Sequence, residues 1–586
     1  MEPTFDGWDF AVLITILAIS AMIGIYYRYT GGKQKTMKEY HLADQSMTTF
    51  PVAVSLMASF MSSISLMGAS NESYQFGTMF CVINLSYILS TPIAAYLFLP
   101  VFYRMRTMSV YEYLERRFGH STRLAASMAY SVQMIVYMGI VLYAPALALE
   151  AVTGVSKVTA ILVIGLICTF YSTIGGLKAV LITDVFQSLL MFAAIYSVIV
   201  VSAIKAGGLA PIWQVAEERS RLYFTDFSLD PTVRHTWWSL TIGGMVIYLS
   251  LYGVNQVQVQ RLLSVRNLES AQAALWWTLP ILSTLSFSTL FSGLAIFHYY
   301  RNCDPLLEGR IESRDQLMPL FAVDTMGQYP GLCGLFVSGI FSASLSTVSS
   351  AVSSLSTVTL EDYIKPLYKC FTKKPLHESK STLPSKIMAC IYGVVCIGMA
   401  FTASSMGGVL QASLTIFGVI GGPLLALFSL GLCTTRANQR GVLLGLLIGF
   451  IFSFIIGFGG PKQPPTPLDF KADGCTAAGN DNMTLVTAAL TQLQNMTFNM
   501  TTAPTTTATT LIEYSWFYRL SYLWFSVIGF LITLIVGYVS SLLLETLKWA
   551  DNKQIYLDYQ QIDVDLFIPP LARRLRKHNV EEMTKF

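Results

Sequence analysis

Long apolar stretches are the feature that most constrains how this 586-residue chain can fold. Thirteen of them reach about 18–25 residues, the length at which a helix crosses the hydrocarbon core of a bilayer. They lie at 9–27, 50–72, 79–103, 124–149, 157–174, 181–204, 237–254, 273–298, 331–358, 386–406, 410–433, 439–458 and 520–544. Only 12% of the residues are charged, against roughly 25% in a typical soluble domain. We therefore predict an all-α, polytopic membrane protein with about 13 transmembrane helices, numbered here as spans 1 to 13.

The distribution of Lys and Arg predicts how these spans are oriented. If the N-terminus lies outside, 27 of the 38 basic residues fall in segments that follow odd-numbered spans or at the span ends that border them. By the positive-inside rule those segments are cytoplasmic. The same orientation places the Thr-rich loop 459–519 outside, where N-x-Thr sequons can be glycosylated. The acceptors are Asn482, Asn495 and Asn499. Both signals predict an N-terminus outside and a C-terminus in the cytoplasm.

The chain divides into a transmembrane domain, residues 1–546, and a cytoplasmic tail, residues 547–586. Span 1 follows the acidic leader MEPTFDGWD and lacks a basic n-region, which predicts a retained helix rather than a cleaved signal peptide. The tail is too short for a kinase or receptor output domain. Its last residues, Thr584 to Phe586, fit a short hydrophobic C-terminal ligand of PDZ-type scaffolds.

The nine Cys and six His show no spacing typical of a metal site. Cys303, Cys333 and Cys475 fall at or beyond the outer edge, which allows one extracellular disulfide. His41 and His120 lie beside cytoplasmic basic residues and are expected to be solvated. No nucleophile–base pair or phosphate-binding loop is recognisable, so we expect neither an enzyme nor a bound cofactor. The net charge of +4 is modest and carries no information about nucleic acid, and no nucleic-acid partner is expected.

Span 9 carries an unusual number of hydroxyl groups. In SASLSTVSSAVSSLSTVT, residues 342–359, eleven of eighteen side chains are Ser or Thr. Many recur at three- and four-residue steps and so share one face of the helix. Small residues let membrane helices pack closely, but a dehydrated cation also needs several oxygen ligands. The sequence leaves both interpretations open.

Polar residues inside the membrane are costly and often functional. Asp184 is the most interior carboxylate, and Gln187 lies one turn further on the same face. Asp184 could anchor the helix at the interface, where the helix dipole favours a carboxylate, or line a polar pathway. Glu72, near the outer end of span 2, could border the outer vestibule or be a solvated interfacial residue, and the second is expected. No Arg or Lys is predicted within the membrane to bind a carboxylate substrate.

Spans 2 and 7 are interrupted by polar residues, which predicts irregular backbone that lines a cavity or is buried in protein. The two spans lie five apart, as first helices of two five-helix repeats would. Paired broken spans of this kind indicate an inverted-repeat transporter with its site near the midplane. The predicted core repeats are residues 50–204 and 237–433.

Four stretches make the chain similar to the sodium/solute symporter family from about residue 10 to 545. They are FLPVFYRMRTMSVYEYLERRFG, YSTIGGLKAVLITDVFQ, YGVNQVQVQRLLS and SASLSTVSSAVSSLSTVTLEDYIKP. GVNQVQVQR and VTLEDYIKP resemble the branch that holds sodium-coupled monocarboxylate, multivitamin and iodide transporters. The resemblance implies a LeuT-like fold in which spans 2–6 and 7–11 form a 5+5 inverted repeat.

The resemblance also implies which residues form the site. The implied sodium ligands are the carbonyls of Ala58, Met61 and Ala343 and the hydroxyls of Ser346 and Thr347. The implied sodium pathway contains Asp184 and Gln187. The implied substrate contacts are Ser59, Ser62, Ser65, Asn255 and Gln258. Sodium is then a co-substrate rather than a cofactor.

The resulting prediction is a sodium-coupled symporter of the plasma membrane that imports a small organic anion by alternating access. A monocarboxylate such as lactate, pyruvate or a short-chain fatty acid is the first expectation. Carboxylated vitamins such as pantothenate or biotin come second. Iodide comes third, because iodide transporters carry Gln where this chain has Ser65. A different class, a sodium-gated sensor or channel on the same fold, remains open from sequence.

Overall fold

The computed structural model describes residues 5–30, 36–403, 408–471, 475, 515–547 and 563–583. Its regular structure is helical, apart from a single bridge between Met47 and Val265 among the described residues. The helices are α1 Gly7–Tyr29, α2 Met37–Leu42, α3 Thr49–Phe60, α4 Ser63–Phe76, α5 Thr78–Met105, α6 Glu112–Arg117, α7 His120–Thr153, α8 Lys157–Ala206, α9 Leu209–Glu218, α10 Ser239–Tyr252, α11 Gln256–Leu262, α12 Leu268–Tyr300, α13 Leu317–Met326, α14 Leu332–Thr372, α15 Glu378–Thr402, α16 Val409–Cys433, α17 Gln439–Phe458, α18 Tyr522–Thr546 and α19 Pro569–Met583.

The all-α, polytopic prediction is confirmed. Ten of the described helices are long and apolar enough to cross a membrane, and two bent pairs, α3–α4 and α10–α11, raise the number to twelve. Helix α8 has 50 residues, about 75 Å at 1.5 Å per residue, which exceeds twice the roughly 30 Å of a hydrocarbon core. Gly176, with φ +65°, interrupts α8 between predicted spans 5 and 6.

Both predicted interruptions are present and lie at corresponding positions. Helices α3 and α4 meet at 62°, and α10 and α11 meet at 59°. Met61 and Ser62 are extended between α3 and α4. Asn255 is extended before α11, and its side chain accepts a hydrogen bond from the Val257 amide at 2.9 Å. Each break frees backbone polar groups inside the bundle, as a midplane site requires.

Helix α14 carries the hydroxyl-rich segment and packs against α1, α3, α7, α8 and α15. Every residue from 342 to 358 is buried. Most of the hydroxyls donate to carbonyls of α14 itself, as Ser349 does to Ser346 and Ser356 to Ser353. A few reach other helices, including Ser344, which donates to Ser63 Oγ at 2.6 Å. The packing interpretation is therefore supported for most of these hydroxyls, and the cation-binding interpretation stays a prediction for the few that point to other helices.

The outer loops are joined by a disulfide between Cys303 and Cys475. Cys333, the third predicted candidate, is a buried free thiol. Since disulfides form in oxidising compartments, this bond agrees with the predicted outer position of the loop 459–519. The three sequons at Asn482, Asn495 and Asn499, and the C-terminal residues 584–586, lie outside the described residues.

Two predictions about surface polar residues are wrong. Glu72 is buried rather than solvated, because Arg234 from the loop before α10 neutralises it. His41 is also buried, because α2 folds against the bundle and its ring bonds Ser385 and Thr357. His120 is about half exposed, as expected.

Candidate functional site

A small central cavity lies where the two broken helix pairs meet. Its volume is about 60 Å³. Its polar lining groups are Ser59, Ser65, Asn255, Gln258, Thr347, Ser413 and Tyr137, and the rest of the wall is apolar or aromatic. Four of the five predicted substrate residues and one predicted sodium ligand thus share one cavity. Among the described residues that line it, none is Lys, Arg, Asp or Glu.

Contacts around the end of α3 hold the two breaks together. The Leu56 carbonyl accepts hydrogen bonds from Tyr252 Oη at 3.1 Å and from Gln258 Nε2 at 3.4 Å. Ser59 Oγ donates to Gln258 Oε1 at 3.3 Å. These bonds link the first broken pair to the second, so a displacement of either changes the shape of the cavity.

Asp184 lies beside this cavity in a fully buried polar cluster. Its Oδ1 accepts a hydrogen bond from Ser346 at 2.6 Å, and its Oδ2 accepts one from Ser55 at 2.5 Å. Arg261 Nη2 lies 3.2 Å from the same Oδ2. Arg261 also donates to Ser55 Oγ at 2.8 Å and to Ser350. The cluster joins α3, α8, α11 and α14 around one compensated pair of charges.

Arg261 corrects the prediction that no Arg or Lys lies within the membrane. Apolar residues of span 7 end at 254, but the structure continues the span through α11 after a bend. Arg261 belongs to α11 and is 1% exposed. Because Asp184 already pairs with it, Arg261 is not free to bind a substrate carboxylate in this conformation.

The predicted sodium ligands lie on α3, in the break that follows it and on α14, and the two helices contact each other. All five are buried: Ala58, Met61, Ala343, Ser346 and Thr347. Thr347 lines the central cavity and donates to the Ala343 carbonyl at 3.0 Å. The group combines carbonyl and hydroxyl oxygens, which a hard cation such as sodium prefers to nitrogen or sulfur.

Two further predicted residues are buried and form no hydrogen bond of standard geometry in the part of the chain that the structure describes, although a tyrosine hydroxyl lies near each: Tyr171 near Gln187 and Tyr137 near Ser62. Gln187 is fully buried, and neither its amide nitrogen nor its amide oxygen forms a hydrogen bond there. Ser62, in the break between α3 and α4, has an unbonded hydroxyl in the same sense and does not line the cavity. Buried polar groups are normally paired, so both positions have capacity for an ion or a water molecule.

Charged contacts close the bundle on both sides of the cavity. On the side predicted to face outward, Arg234 donates to both carboxylate oxygens of Glu72, at 2.6 and 3.0 Å, and to Gln411 Oε1 at 3.0 Å. This joins α4 to the start of α16. On the side predicted to face the cytoplasm, Arg123 Nε donates to Asp362 Oδ1 at 2.9 Å, which joins α7 to α14.

Sequence reasoning missed Ser55, Ser350 and Arg261. Ser55 lies one helical turn before the predicted Ser59, and Ser350 one turn after Ser346, so helical periodicity was an available signal. Arg261 ends the polar run NQVQVQR, which is too polar to be recognised by hydropathy as part of a span.

Two broken helix pairs around a partly polar cavity inside an apolar helix bundle are typical of a secondary transporter. A model of the sodium:solute symporter family matches residues 40–449, well over half of the chain. The chain belongs to the sodium:solute symporter family.

Several relatives are similar over most of their length. A protein of Drosophila melanogaster named putative sodium-dependent multivitamin transporter is 56% identical over 98% of this chain and 93% of its own. Human sodium-coupled monocarboxylate transporter 1 is 42% identical over 83% of this chain and 80% of its own. The rabbit (Oryctolagus cuniculus) sodium-dependent multivitamin transporter is 42% identical over 78% and 71%.

A solved structure shows the same fold. The Na⁺-coupled sialic acid symporter, in a substrate-bound outward-open state, matches 92% of this chain and 98% of its own with a TM-score of 0.75. Since the two sequences are 23% identical, this likeness concerns the fold alone.

Proposed function

We propose that this protein is a sodium-coupled symporter of the plasma membrane that imports a small organic anion carrying one carboxylate. The observation that carries the proposal is the central cavity, whose lining includes Thr347 of the implied sodium site together with Ser59, Asn255 and Gln258 of the implied substrate site. A substrate in this cavity would lie next to the bound sodium, so the two can stabilise the same conformation.

The sodium site would use the carbonyls of Ala58, Met61 and Ala343 and the hydroxyls of Ser346 and Thr347. Met61 is non-helical, which leaves carbonyls at the end of α3 outside the regular helical pattern. Ser346 donates its proton to Asp184, and its oxygen lone pairs remain able to face a cation. The site would therefore need no formal charge of its own.

Asp184 and Gln187 would serve the route by which sodium leaves. In this conformation Arg261 compensates the Asp184 charge. Arg261 would have to withdraw before Asp184 could attract the ion, so movement of α11 would be coupled to sodium release. Gln187 offers an unpaired amide oxygen one turn away.

The substrate carboxylate would be bound without a cationic side chain, since the described lining contains neither Lys nor Arg. The side-chain amides of Asn255 and Gln258 and the hydroxyls of Ser59 and Ser65 would donate hydrogen bonds to the carboxylate, and the bound sodium would compensate its charge. The apolar remainder of the wall suits a short hydrocarbon tail. Lactate, pyruvate and short-chain fatty acids fit this description.

Coupling would follow from shared preference for one conformation. If sodium and the anion both favour the outward-facing to closed transition, each raises the affinity for the other. The sodium gradient would then drive uptake, with the membrane potential adding about 2.3 kcal/mol per net charge per 100 mV.

A second candidate is uptake of carboxylated vitamins such as pantothenate or biotin. The 56% identity to a putative sodium-dependent multivitamin transporter favours it. Both candidates share the carboxylate and differ in the size of the group attached to it.

The test is labelled uptake combined with voltage clamp over lactate, pyruvate, butyrate, pantothenate, biotin, iodide and glucose, with choline replacing sodium. A symporter accumulates one class of solute only with sodium. Current without accumulation would instead indicate a sensor or channel.

Ser346→Ala and Thr347→Ala should weaken sodium dependence, whereas Ser356→Ala, whose hydroxyl bonds only its own helix, should not. Unchanged sodium dependence at normal surface expression would reject the sodium site.

A further inference from the structure

A second and larger cavity opens on the face that carries the Cys303–Cys475 disulfide. Its volume is about 430 Å³. It is lined by the ends of α4 and α18, the loop before α10 and the segment 462–468 that follows α17. The predicted orientation and the disulfide both place this face outside the cell.

The Lys, Arg, Asp and Glu residues that line this outer cavity are all basic. Arg234, Lys462 and Arg519 line it, and none of the described lining residues is Asp or Glu. The charge of Arg234 is compensated from behind by Glu72, which is 4% exposed. Arg519 interacts with the carboxylate of Asp230, which lies outside the lining, whereas Lys462 has no such carboxylate among the lining residues. The cavity therefore presents excess positive charge to solutes that arrive from outside.

Lys462 is the best placed of these cations. Its Nζ lies 4.3 Å from the centre of the Phe525 ring, which fixes the position of the ammonium group. Burial lowers the pKa of Lys462 to about 8, because the charged form loses hydration. An anion beside it would restore the stability of the charged form. Tyr518 and Gln463 add polar groups to the same wall.

The outer cavity lies directly above the central one. Gln411 lines the outer cavity, and its chain neighbour Leu410 lines the central cavity, together with Ser413 and Leu414. The first turns of α16 thus form the partition between the two. Arg234 binds Gln411 on the outer side of this partition. A solute in the outer cavity would reach the central cavity if α16 moved and the Arg234–Gln411 contact opened.

We infer that the outer cavity is a sodium-independent binding site for the carboxylate group of the substrate, with Lys462 and Arg519 as its cations. This rests on the proposed function, since it takes the transported anion as the ligand. The site raises the local concentration of the anion on the outer side of the partition. It therefore affects KM for the substrate rather than the maximal rate of transport. It also explains how a cavity without cations can receive an anion.

The test uses the full-length protein and three variants at matched surface expression. Lys462→Gln removes the positive charge at position 462 of the outer cavity, and Lys462→Arg keeps it. Lys205→Gln is the control, because it removes an exposed positive charge that lies on the same face but does not line the outer cavity. We expect Lys462→Gln to raise KM for lactate or pantothenate by about three- to tenfold with Vmax and sodium affinity unchanged. The other two variants should resemble the wild type.

A binding measurement separates this inference from the proposed function. Saturation-transfer NMR of purified protein with lactate and pantothenate, in choline instead of sodium, should give a signal that Lys462→Gln abolishes. Gln258→Ala, a central-cavity variant, should keep that signal while losing uptake. If the wild type takes up substrate but Lys462→Gln changes neither KM nor this NMR signal, the outer site is wrong while the proposed function stands. Absence of wild-type uptake would overturn the proposed function, and the sodium-free signal would then decide the inference.

Discussion

Arg261 and Asp184 form a buried ion pair between the two five-helix repeats, with Arg261 Nη2 3.2 Å from Asp184 Oδ2. Asp184 belongs to the second half of α8, in the first repeat, and Arg261 to α11, in the second. Ser55 and Ser346, from two further helices, each donate a hydrogen bond to the Asp184 carboxylate. Removing charges from water is costly, and a pair of this kind offsets the cost only while both members are present.

Loss of either charge should therefore destabilise the protein more than loss of both. Arg261→Gln and Asp184→Asn are each expected to cost about 3–5 kcal/mol, because each leaves one buried charge unpaired. The double variant should recover part of this loss. The measurement is the thermal unfolding midpoint of the purified protein in one detergent.

Arg116→Gln is the matched control for this cycle. Arg116 forms an ion pair with Glu112 at 2.6 Å, but both side chains are substantially exposed. Its loss should cost no more than about 1 kcal/mol. Strictly additive effects of Arg261→Gln and Asp184→Asn would contradict the ion pair.

The spans and their breaks could be predicted because both depend on local properties of the sequence. Length and apolarity alone identify a helix that crosses a bilayer, and the polar interruptions in spans 2 and 7 mark their bends. Four of the predicted substrate residues lie together for a similar reason: Ser59, Ser65, Asn255 and Gln258 flank those breaks and line one cavity, while their role in binding stays a prediction.

The ion pairs could not be predicted because their partners are distant in sequence. Arg234 lies in a loop 162 positions from Glu72, and Arg261 lies 77 positions from Asp184. Local hydropathy treats each of these residues as a charge that must be solvated. Only the tertiary fold reveals that a loop or a bent half-helix brings the opposite charge to it.

The disulfide between Cys303 and Cys475 should stabilise the outer loops. It joins the end of α12 to the long loop 459–519, and closing a long loop reduces the entropy of the unfolded chain. Cys303→Ser is expected to cost about 2–4 kcal/mol, measured as a lower unfolding midpoint. Cys370→Ser, which removes an exposed free thiol, should have no effect. Equal midpoints with and without reductant in the wild type would refute this prediction.

Mild acid should destabilise the protein through two buried histidines. Burial lowers the pKa of His235 to about 4, although Glu72 lies 3.3 Å away, and burial lowers the pKa of His41 to about 3. Both values lie below the 6.5 expected for an unfolded chain. As the pH falls from about 6.5 to 4, the unfolded state therefore binds protons that the folded state does not.

Each histidine should remove on the order of 1–2 kcal/mol of stability between pH 7 and pH 5. The measurement is the unfolding midpoint of purified protein across this range. His235→Gln and His41→Gln should each flatten the dependence. His120→Gln is the control, since His120 is about half exposed. An unchanged slope in both variants would show that these residues titrate normally.

Gly68 allows α4 to approach the partition between the two cavities. A Cβ atom added at Gly68 would lie 2.6 Å from Leu410 Cβ, well inside van der Waals contact. Leu410 belongs to the first turn of α16. Because its Cβ atom is bonded directly to the backbone, the backbone of α16 would have to move away from α4. Overpacking of this kind costs about 1–3 kcal/mol, and the cost falls only on conformations in which the two helices touch.

Gly68→Ala should therefore favour conformations in which the central cavity is open to the outer one. A shift of about 1.4 kcal/mol would raise their population roughly tenfold where they are a minority. The measurement is labelling of Ser413→Cys, in the central cavity, by a membrane-impermeant thiol reagent applied from outside. Labelling should accelerate and uptake should slow. Gly398→Ala, where an added Cβ meets no atom within 4 Å among the described residues, is the control. Slower or unchanged labelling in Gly68→Ala would mean that the partition opens by another movement.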